Sequence, residues 1–404
     1  MEMKTIHIGD LGDIKTGSTP SKKNPDNYGE YALWIKPTDI NPEEKYTRVV
    51  EEMFSEKAAT DCRSRLIPAK SICVPCIGTV GTKLTMTPCD CFVNQSINAV
   101  IPNDDYDNDY VYYLLLNFLP NLKSINKGTA SGREYIAKSA FENIEIKVHS
   151  DIRVQRIIGK ILSAYDDMIN NCKKQIALLE EAAQRLYREW FVDLRFHGHE
   201  STPIGDNGLP VGWRKEPIFP FCQTVLGGTP SRKNSDFWNG NIPWINSGAV
   251  NLDRITEGSE YITDIALKKS ATKLMPKHTT LLAITGATLG QVSYTEIDVC
   301  GNQSIIGIIP PNPNLEEYIY LLTINEIETI ISPAGGSAQQ HINKDILNKY
   351  EISIPSDDVL TQFKERVNPY FNKISTCYQT LNDCTKLKSI MLPRLISGQI
   401  EINA

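Results

Sequence analysis

The 404-residue sequence contains no apolar run of about 18 residues, which excludes a membrane-spanning helix. Its opening, MEMKTIHIGD, lacks the basic-then-apolar pattern of a secretory signal, so a cytoplasmic protein is expected. The phosphate-loop pattern G-x-x-x-x-G-K-[ST] is missing, as are N-P-P-Y, F-x-G-x-G, H-E-x-x-H and G-x-S-x-G. Nucleotide hydrolysis, methyl transfer, zinc proteolysis and serine hydrolysis therefore have no support. An excess of positive charge is missing too. Lys and Arg number 42 against 48 Asp and Glu, a net charge of −6, which argues against a chain that is basic all over but leaves room for local basic patches. The six histidines form no ligand cluster.

What the sequence does have is itself, twice. GSTPSKKN at 17–24 returns as GGTPSRKN at 227–234, an offset of 210 that pairs Trp34 with Trp244. SICVPCIGTVGT aligns with TLLAITGATLGQ, and FVNQSINAVIPN with CGNQSIIGIIPP at an offset of 208. GREYIAKSAFENIEI aligns with AQQHINKDILNKYEI at 206. The drift is small and falls between blocks, as changes of loop length do. Short β-branched runs separated by Gly and Pro mark each copy as a mixed α/β (α+β) domain. The period is too long for a solenoid, so the chain is a domain duplication.

Each copy leads into a segment of helical pattern. Residues 151–196 contain no proline and one glycine, with apolar positions at Tyr165, Ile169, Cys172, Ile176, Leu179, Ala183, Leu186 and Trp190, the alternating 4,3 steps of a coiled-coil seam. Residues 357–404 repeat it with Leu360, Phe363, Val367, Tyr370, Ile374, Cys377, Leu381 and Cys384; Pro369 is expected to kink or break that helix and Pro393 to end it. About 40 helical residues span roughly 60 Å. The expected organisation is a domain at 1–150, a helix at 151–196, a Gly- and Pro-rich joint at 197–212 holding His197 and His199, a second domain at 213–356 and a helix at 357–404. A pseudo-two-fold relation between the copies would make the helices antiparallel, a coiled-coil spacer separating two homologous domains.

Two motifs mimic catalytic or metal sites. Pro25-Asp26 with Glu43-Glu44-Lys45 has the P-D…E-x-K form of a nuclease, but it reads better as a turn and a solvated charge run, and the second copy lacks the acids. Cys73-x-x-Cys76 with Cys89-x-Cys91 has zinc-like spacing. The aligned second-copy segment, LLAI, has no cysteine, so a buried strand is expected for the first pair, chance for the second, and no metal site. What recurs is chemistry suited to phosphates and base edges. Ser21, Lys22, Lys23 and Asn24 match Ser231, Arg232, Lys233 and Asn234 in turn-rich loops. Asn94-Gln95 and Asn302-Gln303 carry amides of the kind that pair with adenine, although Asn-Gln-Ser can equally cap a strand end. Arg133, Glu134 and Tyr135 match Gln339, Gln340 and His341 with different side chains, and Lys36, Lys83 and Asn246 complete the candidate set. A shared frame with differing tips suits two readers of different sequences.

These blocks resemble the specificity subunit of Type I restriction-modification enzymes. The resemblance rests on GSTPSKKN…W and its copy, GTVG…NQSI with GATLG…NQSI, LPVGW opening the second domain, LYREWFVDL closing the first helix and MLPRLISGQIEI closing the second. No L-P-x-G-W precedes the first domain. The resemblance implies two target recognition domains, each reading half of a split double-stranded DNA site, and a helical ruler that docks methyltransferase subunits, usually two. Restriction subunits would join that core. It implies no catalysis and no cofactor in this chain, with S-adenosylmethionine, ATP and magnesium belonging to the partners. The opposing reading is a nuclease or methyltransferase with an unrecognised active site; a third is an adaptor that works through its helices alone.

Overall fold

A computed structural model describes residues 2–125, 134–333 and 341–402. The chain divides into two compact units: residues 1–171 with 381–404, and residues 172–380. Each unit therefore joins one globular domain to a stretch of both long helices.

In the first unit an antiparallel sheet runs Gly12–Thr16, Ile97–Pro102, Ile72–Pro75, Thr85–Met86. A smaller sheet runs Tyr28–Gly29, Met53–Phe54, Ala32–Ile35, Phe92–Val93, its last pair parallel with Trp34 opposite Phe92. Met3–His7 pairs with Glu145–His149 where the domain meets its helix. The second unit repeats this. Its first sheet runs Gln223–Leu226, Ile305–Ile309, Thr280–Ala283, Val292–Thr295, Arg254–Ile255. Its second runs Glu260–Ile262, Trp238–Ile245, Val299–Gly301, Leu274–Met275, again with a parallel pair that sets Trp244 opposite Cys300. Arg214–Pro217 pairs with Glu351–Ile354. The central strands are buried on both faces, so they read as continuous apolar runs such as ICVP and TLLA.

The helix Asn108–Ile125 covers the first domain's core and Glu316–Ile331 the second's. Each also meets the long helices, Ile152–Tyr187 and Asp357–Ile396. In the second unit Gln175 on the first long helix lies against Cys377 on the second, and Trp190, just beyond the first helix, packs on Phe363. Numbering rises on one helix as it falls on the other, so these stretches are antiparallel. The first unit has the same sense, with His149 bonded to the Leu395 carbonyl and Asp166 to Lys388.

Three helical expectations are corrected. The helix runs unbroken through Pro369 and continues three residues past Pro393. Pro369 is exposed, so its missing N–H and its ring fall on the solvent side, where the Glu365 carbonyl can turn to water. The apolar seam is also displaced. Ile169, Ile176, Trp190, Phe363, Val367 and Ile374 are buried as expected, but Tyr165, Leu179, Leu186, Tyr370 and Leu381 are only half-buried. Their neighbours Asp166, Glu180, Tyr187 and Phe371 take the buried positions. The stripe widens to face the globular domain as well as the partner helix, and two of its places hold carboxylates. The first helix is α-helical to Tyr187 and closes with a wider turn over Arg188–Val192, which seats Trp190 and Phe191 beside Tyr187, Trp213 and Tyr318. Trp213, the last residue of LPVGW, is thus a packing anchor.

Pro369→Ala restores a donor to the Glu365 carbonyl and removes the ring clash. Urea unfolding is expected to show a gain of about 1–3 kcal/mol; an unchanged or lower midpoint would mean that the proline costs this helix nothing.

Candidate nucleic-acid interface

The repeated octamers are tied down from below. Gly17 runs so close to the Val93 carbonyl, and Gly227 to that of Asn302, that a Cβ would sit 1.9 and 2.2 Å from those oxygens. Ser18 N–H then donates to Val93 O and Gly228 N–H to Gly301 O. The repeated tryptophans hold the loops: Trp34 Nε1 donates to Ser18 O and Trp244 Nε1 to Gly228 O, both at 3.1 Å. Tyr28 OH bonds Pro20 O, and Trp238 Nε1 bonds Ser231 O. Asn24 and Asn234 accept from the N–H of Asp26 and Asp236, closing a turn in each copy.

The other repeated blocks meet these loops. Thr19 Oγ1 is bonded to Gln95 Oε1, and Thr229 Oγ1 to Gln303 Oε1. Asn94 and Asn302 use their amide oxygens to accept from Ser96 and Ser304 N–H. Ser96 O in turn accepts from Cys76 N–H, and Ser304 O from Ile284 N–H. Tyr135 bridges Ile77, and His341 bridges Thr285, at the far side of the same strip. Each domain therefore carries one rim in which three sequence-distant blocks adjoin. Lys22, Lys23, Arg232, Lys233, Ser21, Ser231 and Asn246 are exposed along it or beside it. Lys83 is half-buried and bonds Ile40 O, and Asn246 Oδ1 accepts from Gly248 N–H. Arg133, Gln339 and Gln340 lie outside the described residues.

The cations are not equivalent. Arg232 lies 3.7 Å over the Trp238 ring and makes a two-pronged pair with Glu260, at 2.5 and 2.6 Å. Lys36 pairs with Glu51 and Glu52 at 2.6 and 2.8 Å, and Lys22 lies 3.7 Å from Glu52. Although burial opposes its charge, Lys36 titrates above the usual lysine range because both carboxylates hold it.

Sequence reasoning missed the most buried charges. Arg254 is 1 % exposed. Its guanidinium donates to Glu180 at 2.7 and 3.0 Å and to Glu296 at 3.4 Å, inside a box formed by Tyr294, Tyr320 and Phe371. In the first domain Tyr46 takes the strand position of Arg254, bridging Met86 as Arg254 pairs with Tyr294, and the buried cation is its neighbour Lys45, 5 % exposed. It pairs with Asp109 at 2.5 Å, bonds Ser163 at 2.8 Å and lies among Tyr46, Tyr112 and Tyr113. The run Glu43-Glu44-Lys45 is thus not simply a solvated one: its lysine anchors the domain to its helix.

Burial pushes the Cys73 and Cys76 thiols up to about 12 and about 11, away from the thiolate a zinc ion needs. Among the described residues no group of three or more His, Cys, Asp or Glu is placed to hold a metal.

Residues 1–181 and 210–381 each match the Type I restriction modification DNA specificity domain. The chain belongs to that family. Among its relatives, the Type I restriction enzyme MjaIX specificity subunit of Methanocaldococcus jannaschii is 27% identical over 98% of this chain and 93% of its own length. The EcoR124I/EcoR124II specificity subunit of Escherichia coli is 23% identical over 68% of this chain and 65% of its own. The crystal structure of a Type I S subunit from M. genitalium has a TM-score of 0.65 at 15% identity, covering 100% of this chain and 97% of that one, and shares the fold. As a member of the specificity family, this chain is the DNA-recognition component of a Type I restriction-modification system, with two recognition domains, and not its catalyst.

Arg254→Met would strand Glu180 as a buried charge without its cation and leave Glu296 only the half-exposed Lys277, 3.9 Å away. Denaturant unfolding is expected to register a loss of about 3–5 kcal/mol, most of it recovered in the R254M/E180M double variant. A loss below 1 kcal/mol in the single variant would show the cluster to be dispensable.

Proposed function

We propose that the rim of each domain reads one half of a split, non-palindromic DNA site. Domains at 1–150 and 213–356 would supply the two readers, and the helices at 151–196 and 357–404 would fix the unspecified interval and dock methyltransferase subunits, usually two. The observation that carries this reading is the rim itself: one hydrogen-bonded frame occurring twice, with Lys22 facing Arg232 and Tyr135 facing His341 in the alignment. A common frame makes both halves bind the same kind of object. Different tips make them read different bases, which excludes a palindrome.

The exposed Lys22, Lys23 and Lys233 suit phosphate contact, and Asn94, Gln95, Asn302 and Gln303 suit a role that combines loop bracing with amide contact to a groove. Asn302, Gln303 and Gln95 brace through their amide oxygens, whereas Asn94 also donates Nδ2 to Thr19 Oγ1 and keeps one further N–H. A chain of net charge −6 carries few cations to spare, which favours partners that share the phosphate backbone. S-adenosylmethionine would belong to the methyltransferase subunits, and ATP and magnesium to restriction subunits. The working complex would be cytoplasmic.

Co-expression with a cognate methyltransferase followed by methylation sequencing tests this. A bipartite, asymmetric motif is expected, and exchange of residues 213–356 for those of a relative is expected to change one half only. A palindromic or unsplit motif would overturn the reading, as would turnover by the chain alone with DNA, magnesium and S-adenosylmethionine. Lys23→Gln or Lys233→Gln is expected to weaken binding to all duplexes alike and to lower the salt slope by about one, whereas His341→Ala is expected to relax one motif position by about 1–3 kcal/mol.

A further inference from the structure

We propose that Glu52 and Glu260 are specificity-determining residues: carboxylates that occupy the cations of the two rims and yield them only to a duplex seated by base contacts. The inference rests on the reading of the rims as DNA-binding.

The arrangement is built twice. Glu260 is the cross-strand register partner of Trp244. Glu52 immediately precedes Met53, whose partner Leu33 immediately precedes Trp34. The acid thus stands beside the repeated tryptophan in both domains, 208 positions apart, and the cation it meets comes from the repeated octamer, Lys22 in one and Arg232 in the other. In the first domain Lys36 joins the same carboxylate. The chemistry survives a change of cation from ammonium to guanidinium.

The Arg232–Glu260 pair has the geometry in which guanidinium grips a phosphate. Arg232 Nη1 and Nη2 donate one to each carboxylate oxygen, and the guanidinium lies over the Trp238 ring. Arg232 is 55 % and Glu260 39 % exposed, so the pair contributes little to stability, and folding does not explain its duplication. Exposure does make it exchangeable. A phosphate oxygen can replace either carboxylate oxygen without moving the arginine off its ring.

The consequence concerns wrong sequences. Attraction to random DNA is set by the number of phosphates that cations neutralise. A cation already neutralised by its own protein releases no counterion until the carboxylate leaves. Random duplexes, which gain nothing from bases, meet that opposition in full. A cognate half-site, seated by base contacts, holds a phosphate where the fork can take it in place of the carboxylate, and so recovers what the exchange costs. Specificity is a difference of affinities, and this device widens it by opposing the competitor.

Full-length protein binding to a non-cognate duplex and to the duplex found by methylation sequencing, followed by fluorescence anisotropy across a salt series, tests the proposal. Glu260→Gln is expected to tighten non-cognate binding severalfold and to steepen its salt slope by about one, with a smaller gain on the cognate duplex; equal gains on both would overturn the proposal. The gain is expected to vanish in the Arg232→Gln background, because Glu260 acts through Arg232. Glu257→Gln, which removes an exposed acid three residues away, is expected to give a smaller gain that persists in that background. An E260Q protein that binds as wild type overturns the proposal, as does a gain that persists without Arg232 or matches that of E257Q. If Arg232→Gln and Lys233→Gln both leave DNA binding unchanged, the reading of the rim fails as well; unchanged E260Q binding beside weakened R232Q binding removes this proposal alone.

Discussion

A guanidinium taken out of water needs its partners in place before it can be buried. Arg254 has them from three elements at once: Glu180 on the first long helix, Phe371 on the second, and Tyr294 and Glu296 from its own domain. Ser375 on the second helix bonds Glu296 and closes the ring. None of these groups is well placed alone, since each carboxylate would be a buried charge and the cation a larger one. The domain and its helices therefore close on each other together or not at all. In the first unit Lys45 does the corresponding work with Asp109 and Ser163, while Tyr113 and Lys388 converge on Asp166 from the domain and from the second helix. A reading surface is useful only if its carrier is fixed, and these clusters fix each domain to the helices beside it.

The two domains solve that problem with different cations, and the difference follows their partners. Lys45 is a point charge met by Asp109 and by a hydroxyl. Arg254 is a planar fork that Glu180 holds on one edge while the aromatic rings surround it. Burial pushes the Glu180 carboxyl up and Arg254 draws it back down, a contest that keeps carboxylate and guanidinium dependent on each other. Between the copies the cation differs in type and sits one strand position apart, but the role is kept. The rims show the same tolerance, with a hydroxyl-to-amide bond kept at Thr19–Gln95 and Thr229–Gln303 while Lys22 and Arg232 differ.

The duplication made much of this legible. Two copies align each other, so the octamers, the Asn-Gln-Ser blocks and the paired helices could be found without reference to any other protein. Their convergence on one rim was not legible, because it runs through backbone bonds such as Cys76 to Ser96 that no side chain announces. The helical seam was misplaced by one residue at Tyr165, Leu179, Leu186 and Tyr370 for a related reason. Hydrophobic periodicity ranks a carboxylate as an outside residue, and it has no way to know that Arg254 is waiting for Glu180. Lys45 was read as solvated on the same logic. Pro369 was weighed by its cost in a helix interior, although on an exposed face that cost does not break a helix held by Val367, Phe371 and Ile374 beneath it.

Charge has two uses in this chain, and burial separates them. Where cation and acid are enclosed, as at Arg254 and Lys45, removing either leaves an uncompensated charge in a dry place, and the pair acts as a structural bond. Where they are open to water, as at Arg232 and Lys22, the same chemistry holds nothing together and either partner is free to exchange. An acidic protein that must touch a polyanion has reason to keep the two apart. Its enclosed cations are spent on holding the domains, and only the open ones remain for phosphate. With an overall charge of −6 the long-range field cannot gather DNA unselectively, so discrimination falls to contacts made at close range on the rims.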